Sequence, residues 1–465
     1  MEKFFKIKER GSTVKTEVFA GITTFMAMAY ILMVNAGMFS DLPEVSYNAV
    51  YIATAISAVV GTLLIGLLAN LPLAQASGMG LNAFFVYTVC FGFGLTYANA
   101  LTLVMLDGIV FIILTATGLR KKIFDSIPKC VKAAIPAGIG LFIAFLGFQN
   151  SGIVTNDDST LVTLASFNVF KGNAEWRSIM PMLVTLLVII TIAVLSIRKI
   201  KGAVLWGILG GSVLYYLLGL TIPDFYNGFA DKLTLNPFTA FVDFGKESFF
   251  KVFTQGFDYS AYLEHNSVGS LIILIATTAL AFCLVDMFDT MGTLYGACSQ
   301  GNLLTKDGEV PNMNKAMLAD ALATTVGSVC GTSTVTTFVE ASAGIAEGGR
   351  TGLAAMVSAA MFFIAMFLSP IAALIPGCAT AAALIYVGIL MIKCVKDIEW
   401  EDISVAAPAF VTIVMMPFTY NISYGIAFGL LTYVCIKLFI GKFKEINLGT
   451  LIITVLFILM FMLTH

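Results

Sequence analysis

Long apolar runs, each broken by a few polar or turn-forming residues, repeat along almost the whole chain. Runs that approach the roughly 20 residues a bilayer crossing needs fall at 16–37, 48–69, 97–119, 129–149, 179–197, 202–220, 268–296, 314–330, 351–375, 379–396, 403–419, 421–440 and 446–464. Two shorter helical runs, 79–90 and 338–347, cannot cross alone. The one long polar excursion is 221–267, and within it FTAFVDFGKESFFKVF is amphipathic and expected to lie along the membrane surface.

Both short helical runs follow polar, strand-like stretches, LPLAQASGMG (71–80) and GTSTVTTFV (331–339). Extended backbone at membrane depth cannot face lipid, because its N–H and C=O groups would go unpaired. We therefore expect residues near 72–76 and 334–338 to form two short antiparallel strands that cross at the centre. Each strand should lead into a half-helix whose N-terminus points at the midplane. Each short helix is third in its half of a seven-plus-seven arrangement, and AVLWGIL (203–209) and GIAFGLL (425–431) occupy equivalent places. Interrupted hydrophobic segments at matching positions of two inverted halves mark a midplane binding site.

Composition agrees. The chain is 58% hydrophobic and 12% charged, with a mean hydropathy of +0.93, against roughly 25% charged in a soluble domain. This is an integral membrane protein. A net charge of −2 names no partner, and no basic patch suggests nucleic acid. The eight Cys form no CxxC pair and His265 and His465 lie outside the apolar runs, so zinc or haem chemistry is not expected. The first apolar run lacks a small-residue cleavage signature and reads as a retained helix. Basic residues gather at the N-terminus and in RKKIFDSIPKCVK (120–132), RKIK (198–201) and 437–444, while SDLPE (40–44) and NDD (156–158) are acidic. The bias places the N-terminus in the cytoplasm. The run 446–464 is then a fifteenth segment, spanning or re-entrant.

Few side chains inside these runs can ionise: Asp107, Asp286, Asp289, Asp320 and Glu340. A carboxylate in a span is costly and points to function. Glu340 opens the second half-helix, and Asn82 is its rough counterpart in the first. Either can cap a helix end, and together they also make a site for a flat polar ligand. Asp286 and Asp289 share a helical face. Asp286 is assigned to the ligand, and Asp289, with Thr337 of the strand-like run, to a structural or coupling role. Asp107 and Asp320 are expected to bond to neighbouring helices. Phe25, Phe84, Phe85 and Phe338 lie where they could stack on a ring, though packing is the ordinary role of each. A carboxylate accepts two parallel N–H donors, which suits the edge of a purine such as guanine. Out of water it can also take up a proton with the substrate and release it on departure.

The stretches VKTEVFAGITTFMAMAYILMVNAGMFSD (14–41), QASGMGLNAFF (75–85), VDMFDTMGTLYG (285–296) and TTFVEASAGIAEGGRTGL (336–353) resemble the AzgA-like purine permeases. These form a branch of the nucleobase–ascorbate transporter family that includes the bacterial uracil permease. The resemblance covers essentially the whole chain. It implies an all-α, 7+7 inverted-repeat transporter with core and gate domains and two short strands before half-helices 3 and 10. It also implies proton-coupled uptake of hypoxanthine, guanine or adenine by an elevator-like motion, no cofactor, and a homodimer packed through the gate domains of a cell membrane protein. Asn82, Asp286 and Glu340 are its substrate ligands, Gly80 allows close backbone approach, and Asp289 is a supporting carboxylate. VEASAG departs from the pattern by placing Ser342 two residues after Glu340, with an expected effect on specificity.

On this scheme the core domain takes 16–119 and 268–375 and the gate domain 129–220 and 379–440, with 221–267 an extracytoplasmic loop and 446–464 an extra segment. Two rivals remain. An anion carrier of the same fold would want no carboxylate at the centre. A magnesium-dependent membrane enzyme could use the DxxD of DMFD, but would need a second acidic cluster.

Overall fold

A computed structural model describes residues 2–117, 126–168, 175–226, 236–300, 303–305 and 309–464. Much of 120–132, used above for orientation, lies outside them. Among the described residues nine helices are long and apolar enough to cross a membrane.

The first half opens with α1 (Val14–Met28) and α2 (Tyr30–Phe39), one crossing with an irregularity at Ala29. α3 (Tyr47–Leu64) loosens into a π stretch, Ile65–Ala69. Strand β1 (Gln75–Ser77) leads into α4 (Met79–Ala83), which continues as a π stretch, Phe84–Gly92. α5 (Tyr97–Thr117), α6 (Lys129–Asn150), α7 (Trp176–Ile197) and α8 (Ala203–Gly219) complete the half. Between α6 and α7 stands an antiparallel hairpin, β2 (Val154–Asp157) with β3 (Leu161–Leu164), where the sequence suggested only an acidic loop.

The second half repeats the plan. α9 (Val268–Gln300) and α10 (Met313–Cys330) precede β4 (Val335–Thr337), a 3-10 turn at Val339–Ala341 and α11 (Ser342–Ala346). Then come α12 (Gly352–Ala365), α13 (Gly377–Met391), α14 (Ile403–Phe418), α15 (Ile422–Phe439) and α16 (Leu448–Thr464). The 7+7 inverted-repeat fold with two strands before the half-helices is thus present, and within 446–464 residues Leu448–Thr464 form one continuous helix.

The strands pair antiparallel, Gln75 opposite Thr337, Ala76 opposite Thr336 and Ser77 opposite Val335. Flanking bonds from Gly78 N–H to the Thr334 carbonyl (2.9 Å) and from Phe338 N–H to the Ala74 carbonyl (3.1 Å) extend the ladder. The first strand therefore sits about two residues later than the expected 72–76. Pro72 has no N–H to give a ladder, so pairing cannot begin there. Each strand's first residue is clamped by a threonine from the preceding long helix. Thr62 of α3 bonds both N–H and C=O of Gln75, and Thr324 of α10 does the same for Val335. The two halves thus solve the problem of buried extended backbone in the same way.

α1 to α5 and α9 to α12 pack among themselves, as do α6 to α8 with α13 to α15. Within the second group α6 meets α13 through glycines: a Cβ on Gly388 would lie 2.5 Å from the Gly140 carbonyl oxygen. Small residues let membrane helices approach to backbone contact. The amphipathic stretch of 238–254 does not stand alone. It packs on the ends of α3, α5 and α10, where Phe250 N–H donates to the Val329 carbonyl (3.0 Å) and Glu247 accepts from Ser46 N–H (2.9 Å). Phe238, Phe249 and Phe253 remain exposed on its other face.

Candidate functional site

Four polar candidates are tied to the strand crossing or to the helix beside it. Ser77, at the end of β1, donates to Asn82 Oδ1 at 2.6 Å, and Asn82 Nδ2 donates back to the Ser77 carbonyl at 3.3 Å. Asn82 is fully buried. Its amide thus pins the first half-helix to its strand and keeps one N–H in hand. On the other strand Thr336 donates to Asp289 Oδ2 at 3.2 Å, which ties that carboxylate to the strand. Glu340, half-buried, lies three residues beyond Thr337, and its Oε1 accepts the Tyr30 hydroxyl at 2.6 Å. Asp286, fully buried, sits one turn before Asp289 on α9, which packs against β4 and the turn carrying Glu340.

Tyr30 is the participant the sequence reading missed. It stands on the turn after the break at Ala29, which frees α2 to begin afresh beside Glu340. The aromatic candidates are used otherwise. Phe25 packs edge-on against Phe362 with centroids 5.2 Å apart, and Phe84 packs against Phe282 at 4.8 Å. Phe85 lies against Phe39 at 4.8 Å. Phe84 and Phe85 are fully buried; Phe338, at the strand end, is nearly so. Ser342 is half-buried at the start of α11. Gly80 serves a close approach, but to Ile139 of α6: an added Cβ would lie 2.5 Å from its Cγ2. It therefore sits where the two helix groups touch.

A second polar cluster lies on the strand face opposite Thr336, the face that Ser77 shares. Gln75 Nε2 donates to Thr337 Oγ1 at 3.1 Å and to Asp320 Oδ1 at 3.0 Å. Thr290 donates to the same carboxylate at 3.0 and 2.9 Å. Asp320 thus bonds to neighbouring elements as expected. Asp107 differs: among the described residues neither oxygen has a donor within hydrogen-bond distance. Also among the described residues, no three His, Cys, Asp or Glu side chains gather as a metal site would require.

Crossed strands, two half-helices and two intertwined helix groups define a multi-pass membrane transporter. The chain belongs to the Permease family, whose profile matches residues 15–428. A putative permease of Methanocaldococcus jannaschii is 41% identical over 99% of this chain and 98% of its own. The guanine/hypoxanthine permease PbuO of Bacillus subtilis is 38% identical over 97% of this chain and 98% of its own. The adenine permease AdeP of Escherichia coli is 35% identical over 99% and 95%. Among solved structures, the transmembrane domain of the cyanobacterial bicarbonate transporter BicA superposes with a TM-score of 0.60 at 16% identity, covering 88% of this chain and 96% of that one. The likeness to BicA concerns the fold alone.

Proposed function

We propose that this protein imports purine nucleobases by proton symport, with the strand crossing as the substrate site. The observation that carries the reading is the pairing of β1 with β4. It sets the half-helix that carries Asn82 beside the turn that carries Glu340, while α9 brings Asp289 to β4 and carries Asp286 a turn earlier. Glu340 and Asp286 are acceptors suited to an N–H-rich edge, whereas an anion would be repelled. Relatives named as guanine/hypoxanthine and adenine permeases, similar along the whole chain, support the purine class. Asp289 and Thr337 are assigned to support and coupling, and Phe338, Phe84, Phe25, Gly80 and Ser342 to the walls of the site. The core helices would move past the gate helices in an elevator stroke, in a homodimer joined through the gate. The N-terminus would be cytoplasmic and the membrane that of the cell.

The test is uptake of labelled hypoxanthine, guanine and adenine into proteoliposomes at two pH values, with and without a protonophore. Glu340→Gln runs beside the wild type, with bicarbonate and sulfate as competitors. An amide presents a donor where the ligand needs an acceptor, so purine binding should weaken by roughly 10–100-fold, the cost of one or two buried mismatches. Unchanged purine binding in Glu340→Gln removes Glu340 from the site; competition by bicarbonate but not by guanine overturns the purine reading.

A further inference from the structure

We propose that Asp107 and Asp320 form a proton-binding pair behind the strand crossing, outside the substrate site, and that Gln75 relays its state to both strands. This rests on the proton-coupled reading above and locates the coupling proton within it.

Asp107 on α5 and Asp320 on α10 are both fully buried. Their helices pack so closely that a Cβ on Gly108 would lie 2.5 Å from Thr325 Oγ1 and 3.2 Å from the Ala321 carbonyl oxygen. Asp107 immediately precedes Gly108 and Asp320 immediately precedes Ala321, so the two carboxyls flank that contact. Among the described residues, no cation faces the pair from the elements packed on α5. α9 brings only the carboxyls of Asp286 and Asp289, and Phe84–Gly92 carries no basic residue. Lys315 is exposed at the start of α10, and Lys251 belongs to the stretch that covers the far ends of the helices.

What this cluster lacks is a hydrogen, not an acceptor. Both oxygens of Asp107 and Oε1 of Gln75 have no donor in reach among the described residues. Two carboxylates at close quarters cannot both stay ionised in so dry a place, and one added proton turns their repulsion into a hydrogen bond. The pair is wired to the site through one side chain. Gln75 Nε2 divides its donors between Asp320 and Thr337, which faces Gln75 across the ladder. A change in charge on Asp320 therefore alters a bond that joins the strands leading to Asn82 and Glu340.

The experiment measures purine affinity against pH on purified wild type and Asp107→Asn, with concentrative uptake and counterflow exchange in proteoliposomes. Infrared spectra follow the protonated-carboxyl band of each. Wild-type affinity should change by up to about tenfold per pH unit, the limit for one linked proton. Asp107→Asn, which mimics the protonated form, should bind purine with a flattened pH profile, keep counterflow and lose protonophore-sensitive accumulation. Its spectrum should lack a carboxyl band present in the wild type. An unchanged pH profile with accumulation intact overturns the proposal, as does accumulation driven by sodium. If the variant is not recovered, a wild-type spectrum with no protonated carboxyl across the stable pH range also overturns it. Failure of the wild type to bind any purine would instead sink the functional reading on which this one stands.

Discussion

Tyr30 shows how much a single hydroxyl can decide. A half-buried carboxylate such as Glu340 can turn toward several partners, and the 2.6 Å bond from Tyr30 selects one. Hydrogen bonds to charged groups contribute about 1.5–3 kcal/mol. Tyr30→Phe keeps the ring and its packing but frees the carboxylate. Purine affinity should fall by roughly tenfold, equivalent to about 1.4 kcal/mol, with normal yield from the membrane. Equilibrium binding checks this, and an affinity equal to wild type would make the bond incidental. Glu340, Asp286 and Asp289 stood out in the sequence because carboxylates are rare in apolar runs. Tyr30 did not, because a tyrosine among fifteen tyrosines carries no such signal. Asp107 and Asp320 were visible as carboxylates too. Nothing in their spacing, more than two hundred residues apart, could tell that their helices pack together beside them.

The paired strands were legible at the scale of the element. Hydroxyl-rich runs beside short helices have few ways to satisfy their backbone in a membrane. Their register was not legible, because the clamp residues Thr62 and Thr324 lie on other helices. The β2–β3 hairpin escaped notice because strands of four residues, VTND and LVTL, are too short to show a period. The pairing carries a direct test. Alternation along the ladder sets Ala76 N–H on the Thr336 carbonyl. Ala76→Pro removes that donor and orphans a buried carbonyl at a cost of about 1–3 kcal/mol, before any clash of the ring. The thermal midpoint in detergent should drop and purine binding should be lost. An Ala76→Pro protein that binds normally would show that the crossing is not the site.

Across the whole molecule, Gly80 lies on the seam between the helix groups. Its missing side chain leaves room for Ile139. Gly80→Val would wedge the seam if the groups slide past one another. Uptake should fall by about tenfold or more, about 1.4 kcal/mol on the barrier, while equilibrium binding suffers less. Equal losses in both would argue against sliding at this contact.

The last helix bears on the same motion. α16 packs on α9, which carries Asp286 and Asp289, and on α15 of the other group, where Phe461 meets Tyr424 and Phe428 at 5.4 and 5.0 Å. Thr450 is also bonded to the Ser126 carbonyl beside α6. In the elevator stroke proposed above, a strap fastened to both the carriage and the frame could not stay fully attached. It would either peel away from α9 on each cycle, or bend at the turn that begins with Gly441 and travel with the carriage. Disulfide bridges engineered from α16 to each neighbour would tell the two apart, since the one that halts turnover marks the contact that must open.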